Sequence, residues 1–233
     1  MLRYFFCCRV DEPGEMTEIC RAMNQSLSIL DQNFVLYPSG GIFWVEKSTL
    51  LIADVHLGKV SHFRKHGSAV PFKAIAENFN QLTRIANSFE ASSICFLGDL
   101  FHSSLNTEWK LFEDWVNSRT EKIILVAGNH DIINPLKYEK LGIAIYSEII
   151  TEGFLLTHHP EEREGVFNFC GHIHPGIRLG GLGRQVLKLS CFFKTENQLI
   201  LPAFGTFTGN YYLEPKSGDQ VFAVTKNEVI QVC

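Results

Sequence analysis

Ile123-Ile124-Leu125-Val126-Ala127-Gly128-Asn129-His130-Asp131 decides the fold. Five apolar residues in a row, rich in β-branched side chains, have the pattern of a strand buried on both faces. The run stops abruptly at a turn that carries an amide, an imidazole and a carboxylate together. A polar turn with capping side chains would use the same residue types, so the neighbouring segments have to decide its meaning.

They repeat the pattern. Residues 49–53 are apolar and end at Asp54-Val55-His56, and residues 94–97 end at Gly98-Asp99. Residues 154–157 end at His158-His159, and residues 166–170 end at Gly171-His172-Ile173-His174. Helical segments lie between the early runs. Pro71 opens one, where its missing N–H costs nothing, and Ile75, Phe79, Leu82, Ala86 and Phe89 form its apolar stripe. Residues 107–118 form the next, with Leu111 and Trp115 expected to face inward. Such alternation predicts an α/β sheet, in which sites gather beyond the carboxyl ends of the strands.

The rest is β-rich. Short strands are expected near 34–36 and 42–45 around Gly40-Gly41, and at 185–193 and 198–204. A hairpin over 221–225 and 229–232 turns at Lys226-Asn227-Glu228. A second sheet packed on the first follows.

With 233 residues the chain can bury one full core, and residues 25–233 read as a single domain. Residues 1–24 show neither helical nor strand period. They read as a poorly ordered extension or as an upstream start preceding one at Met23. The apolar run at Leu2–Cys8 is too short for a signal peptide, and Arg9, Asp11 and Glu12 end it. No stretch approaches the ~18 apolar residues of a membrane span. A net charge of −4 gives no global basic field. Seven scattered cysteines without a Cys-x-x-Cys pair read as reduced thiols, which fits a reducing cytoplasm.

The chemistry lies in the convergence of the five motifs. Each alone is weak: Asp-x-His is common, and an isolated histidine is more often a satisfied polar residue than a ligand. In order, after five buried strands, they supply mixed oxygen and nitrogen donors without thiolate. That set favours Mn, Fe or Zn over Ca or a cysteine-zinc knuckle.

The order of motifs resembles the calcineurin-like metallophosphoesterases. The resemblance implies that fold: two packed, mainly β sheets flanked by helices in an α/β/β/α sandwich. It implies that Asp54, His56 and His174 hold one divalent metal and that Asn129, His158 and His172 hold a second. Asp99 would bridge the two, because cations roughly 3.5–4 Å apart need an anion between them. His130 becomes the imidazole that reaches the phosphate or the leaving oxygen, with Asp131 setting its tautomer. The implied reaction is in-line attack of an activated water on phosphorus.

Longer runs narrow the resemblance. Ile52-Ala53-Asp54-Val55-His56-Leu57-Gly58-Lys59, His62-Phe63-Arg64, Gly98-Asp99-Leu100-Phe101-His102 and 201–209 are similar to the bacterial ligase-associated DNA damage response endonucleases. That likeness implies DNA as substrate and a DNA ligase, a helicase and an exonuclease-like protein as partners, with Mn as the expected metal. Lys59, His62, Arg64, Lys65 and His66 form a local basic cluster, and Arg64 is the best candidate to grip a phosphate bidentately. His102 is placed near the site by its distance from Asp99, and Arg178, Arg184 and Lys188 extend the surface beyond His174. Two rival readings stay open: a phosphodiesterase for nucleotides or other small phosphates, and a non-catalytic repair scaffold.

Overall fold

The computed structural model describes residues 23–61, 73–102, 107–181, 183–206 and 208–233. The expected extension lies almost wholly outside them, as do Arg64 and Pro71. Met23 is already tied in: its N–H donates to the Asn227 carbonyl, and its own carbonyl accepts from Val229.

Seven strands form the first sheet, in spatial order of sequence. They are β1 (Gln25–Ile29), β2 (Gln32–Leu36), β3 (Ile42–Trp44), β4 (Thr49–Ile52), β5 (Ser93–Leu97), β6 (Lys122–Val126) and β7 (Ala144–Tyr146). The pairs from β1 to β4 are antiparallel, and those from β4 to β7 are parallel. The second sheet holds nine strands. They are β8 (Ile149–Thr151), β9 (Phe154–Leu156), β10 (Phe167–Cys170), β11 (Pro175–Gly180), β12 (Val186–Lys194), β13 (Gln198–Ile200), β14 (Tyr211–Tyr212), β15 (Gln220–Val224) and β16 (Val229–Gln231). β13 stops short of the expected 204 because Pro202 cannot donate to a ladder.

Alternation along the strands sorts the core into layers. Leu50, Ile52, Ile94, Phe96, Ile123 and Leu125 face helices α1 (Lys73–Asn87) and α2 (Thr107–Asn117). Leu51, Ala53, Cys95, Leu97 and Val126 face the other way, onto Phe154, Phe169, Phe192, Leu199 and Phe222 of the second sheet. The far face of that sheet carries a smaller cluster around Cys170, Ile177, Cys191, Ile200 and Val221. A short helix, α3 (Pro135–Glu139), adds Tyr138 to the first cluster.

In α2 the inward face is Glu108, Trp109, Phe112, Trp115 and Val116, while Leu111 is 41% exposed. The expected Leu111 contact is therefore displaced by one position. The two tryptophans and Phe112 define the apolar stripe at steps of three, and Leu111 falls outside it. The described cysteines are free thiols, with Cys95, Cys170 and Cys191 buried. No described helix is long and apolar enough to cross a membrane.

The inter-sheet layer is aromatic at its centre. The Phe34 ring lies 5.3 Å from Trp44, 5.4 Å from Phe154 and 4.8 Å from Phe169. Phe34→Ala is expected to cost about 3–5 kcal/mol of stability through lost transfer energy and the cavity left behind. Denaturant unfolding at constant m-value measures it, and a loss under 1 kcal/mol would show that the layer re-closes.

Candidate metal centre

Strands β4, β5, β6, β9 and β10 all end at one edge of the sandwich, and the loops beyond them keep pairing. Asp54 N–H donates to Gly98 O at 3.2 Å, His56 N–H to Asp99 O at 3.0 Å, and Leu57 N–H to Leu100 O at 2.9 Å. This zipper sets His56 beside Asp99. Nine described non-glycine residues have positive φ, and five of them are Asp54, His56, Asp99, His172 and His174. Such left-handed backbone costs energy and concentrates at functional sites.

Close approach demands glycine at two of these turns. A Cβ on Gly98 would lie 2.2 Å from His158 Nδ1, and one on Gly171 would lie 2.4 Å from Asp54 Oδ2. No side chain fits at either position without displacing the imidazole or the carboxylate.

The donors then fall into two groups. In the first, the ligating atoms of Asp54, His56 and His174 lie within 4.8 Å of one another. In the second, His158 Nε2 lies 3.1 Å from Asn129 Oδ1, 3.2 Å from His172 Nδ1 and 3.3 Å from Asp99 Oδ1. Asp99 joins the groups, because its other oxygen, Oδ2, is 3.3 Å from His56 Nε2. All seven residues expected at the metals are thus brought together.

The arrangement fits divalent cations. Donors about 2.1 Å from one ion at tetrahedral to octahedral angles stand roughly 3.0–3.4 Å apart, which matches the second group. In the first, Asp54 Oδ1 and His174 Nε2 are both buried without a hydrogen-bond partner, 3.2 Å apart. Buried polar atoms left unpaired are costly, and a shared cation removes that cost.

Outer contacts orient the ligands. His158 Nδ1 is held by Leu97 O at 3.0 Å, which aims Nε2 inward. His56 Nδ1 is held by Thr208 Oγ1 at 3.0 Å, and the His172 N–H donates to Asp54 Oδ2 at 2.9 Å. Asn168, buried in β10, donates from Nδ2 to Leu155 O and Thr157 Oγ1 and accepts at Oδ1 from Glu161 N–H. Thr157 in turn donates to His159 O, so the loop carrying His158 is braced from the core. On the other side the buried Glu108 carboxylate accepts from Gly58 N–H and from both donors of Ser61.

Sequence reasoning passed over Thr208, Asn168 and Glu108. Asn168 is a lone polar residue between Phe167 and Phe169, a pattern that flags a buried anchor but names no partner, whereas Glu108 and Thr208 sit among other polar residues and carry no such signal. It also set His159 aside, although His159 groups with His158 and His172 within 4.8 Å while remaining exposed.

Electrostatics keep the donors in ligating form. Burial alone would raise the Asp99 carboxyl. The His56 hydrogen bond, the field of His158 and the His130 N–H outweigh it and hold the pKa at about 2. Burial lowers His56, against the opposing pull of Asp99, and Lys59 lowers it further. Burial and the neighbouring His159 and His158 lower His172. Neutral imidazoles bind metal and protonated ones do not. The lowered His56 and His172 should therefore stay in ligating form below the pH at which a free histidine protonates, and metal affinity followed by calorimetry should weaken as the pH falls through about 6.5. A decline already under way above pH 7 would contradict this.

Two expectations need correction or placement. Asp131 does not orient the His130 ring: its oxygens accept from Phe101 N–H at 3.1 Å and Gly128 N–H at 2.9 Å, closing the turn. A carboxylate suits that turn because two amides point into it. Burial raises its pKa to about 6 despite those bonds, and the nearby Asp99 charge adds to the rise. His130 and His102 both lie at the rim of the first group. Their rings are 4.7 Å apart and sit 6.2 and 5.5 Å from His56. Lys59, half-buried beside Asp54 and Asp99, has its pKa lowered by burial against their attraction.

The crystal structure of Pseudomonas putida nuclease MPE is similar at a TM-score of 0.77 and 28% identity, covering 90% of this chain and 100% of that one. No curated protein matches. The family model for calcineurin-like phosphoesterases matches residues 47–177, the span from β4 to β11 that carries every candidate ligand. The chain belongs to the calcineurin-like phosphoesterases and is a metal-dependent phosphoester hydrolase.

Proposed function

We propose that the protein is a two-metal phosphodiesterase that cuts DNA, acting in repair beside a ligase, a helicase and an exonuclease-like protein. The observation that carries the two-metal reading is Asp99, whose two oxygens face the two donor groups at 3.3 Å each. Asp54, His56 and His174 hold one divalent ion, Asn129, His158 and His172 the other, and Asp99 lies between. The donor set suits Mn, with Fe or Zn as alternatives. When bound, such ions lower the pKa of a water to near neutrality and offset charge on phosphoryl oxygens.

The chain's own residues do the rest. His130 is half-exposed and makes no side-chain hydrogen bond among the described residues. Its ring is therefore available to a phosphoryl or leaving oxygen, where it stabilises charge or donates a proton. His102, packed on His130, and Arg64, outside the described residues, are proposed to bind phosphate. Support for DNA comes from the nuclease similar in structure and from the runs shared with the ligase-associated endonucleases. The full convergence of ligands weighs against a scaffold.

The test is metal-stripped protein re-supplied with Mn(II) and offered supercoiled plasmid beside a cyclic nucleotide. Nicking and linearisation of plasmid are expected. Turnover of the nucleotide alone would replace DNA with a small phosphodiester.

A further inference from the structure

The metal ligand His174 is followed directly by β11, and β11 carries a second array of side chains. Side chains two and four residues apart on a strand share a face. Gly176 and Arg178 therefore point to one side of β11, while Ile177 and Leu179 pack on the opposite side. Register places partners on the same side. Arg178 pairs with Lys188 and Gly176 with Ser190 on β12, and Gly176 pairs with Tyr212 on β14.

The array is built rather than scattered. The Tyr212 ring lies across Gly176, where a Cβ would come within 3.0 Å of it and within 2.8 Å of Asn210. Asn210 is tied to Ser190 at 3.1 Å. Two cations sit on the ring, Arg178 Cζ at 4.8 Å from its centroid and Lys188 Nζ at 5.6 Å. Among the described residues neither cation makes an ion pair. A guanidinium stacked on a ring keeps its N–H edge free for an anion. Both side chains are exposed, although the chain as a whole is acidic at −4.

We propose that this face of β11, β12 and β14 binds the phosphate backbone of the nucleic acid strand as it leaves the metal centre, with Arg178 and Lys188 gripping phosphates away from the scissile one. The proposal rests on the nuclease reading above. Three steps of strand, from Pro175 to Arg178, carry Arg178 about 10 Å along β11 from the residue that follows His174, at ~3.3 Å per residue. That distance is beyond the reach of a small diester held at the metals and within the span of a polynucleotide. Contacts of this kind position a strand without reading its sequence.

The test compares Mn(II)-loaded wild type with R178A/K188A in cleavage of a fluorescein-labelled DNA oligonucleotide over a series of salt concentrations. Two phosphate contacts are removed, so on a single-stranded oligonucleotide the slope of log kcat/KM against log salt should become shallower by about 1.4, at 0.7 per contact. KM should rise at least about ten-fold while kcat changes less than about two-fold. Y212L, which keeps both charges and loses the ring, should raise KM by a smaller factor. Salt slope and KM equal to wild type in R178A/K188A would overturn the proposal and leave the nuclease reading standing. Wild-type protein that hydrolyses a small chromogenic diester but no DNA would overturn both.

Discussion

Asp99→Asn should lose at least roughly 10³-fold in phosphodiester turnover, about 4 kcal/mol of transition-state stabilisation. Asn matches Asp in shape, so β5 and its turn should fold as before and the His130 N–H should keep an acceptor. What disappears is the negative charge, held fully ionised at a pKa of about 2, together with one of the two oxygens that face the donor groups. The amide NH2 would be turned toward His56 Nε2 or His158 Nε2, each 3.3 Å from a carboxylate oxygen at present. Metal content by mass spectrometry should fall in parallel with activity. Turnover within ten-fold of wild type would remove Asp99 from its bridging place.

His130→Ala should behave differently. The residue's backbone N–H donates to Asp99 Oδ1 at 2.9 Å, and alanine preserves that bond, so metal content should match wild type. The ring is lost from the rim, where it faces His102 and His56. A decrease of about 10²–10⁴-fold in kcat is expected from removing a general acid or a charge-stabilising donor. A substrate whose leaving group needs no proton, such as a nitrophenyl diester, should show a smaller loss than DNA. Wild-type turnover on both would exclude the ring from the chemistry.

Much of this was legible from residues alone, for a physical reason. Strands β4, β5, β6, β9 and β10 are largely buried on both faces, so apart from Asn168 inside β10 they read as apolar runs that end in polar residues where the sheet ends. The ligands sit at those ends. Less legible were β7, β8, β11 and β14, which are short or partly exposed and lack a clean period. Their pairing is decided by tertiary context more than by local preference. Leu111 misled because a helix stripe one residue out of phase has nearly the same spacing. Asp131 misled for another reason. A carboxylate next to a histidine suggests a pair, but Gly128 and Phe101 present two backbone amides at shorter range, and amides in a tight turn need acceptors. The anchors Asn168, Thr208 and Glu108 act through partners 7 to 152 residues away in sequence, a separation that no local pattern encodes.

The array on Tyr212 lay half in view. Arg178 and Lys188 are ten residues apart in the chain, and only the β11–β12 register puts them side by side. This second array lies on β11 and its neighbours, and β11 directly follows the proposed ligand His174. That arrangement suits a polymer substrate better than a nucleotide.

The central claim is that two cations, bridged by Asp99, are needed for turnover. The most direct measurement is stepwise titration of metal-stripped protein with Mn(II), following bound metal and diester hydrolysis together. Turnover should stay near background through the first equivalent and reach its maximum as the second binds. Full turnover at one equivalent, or turnover that persists without metal, would contradict the account.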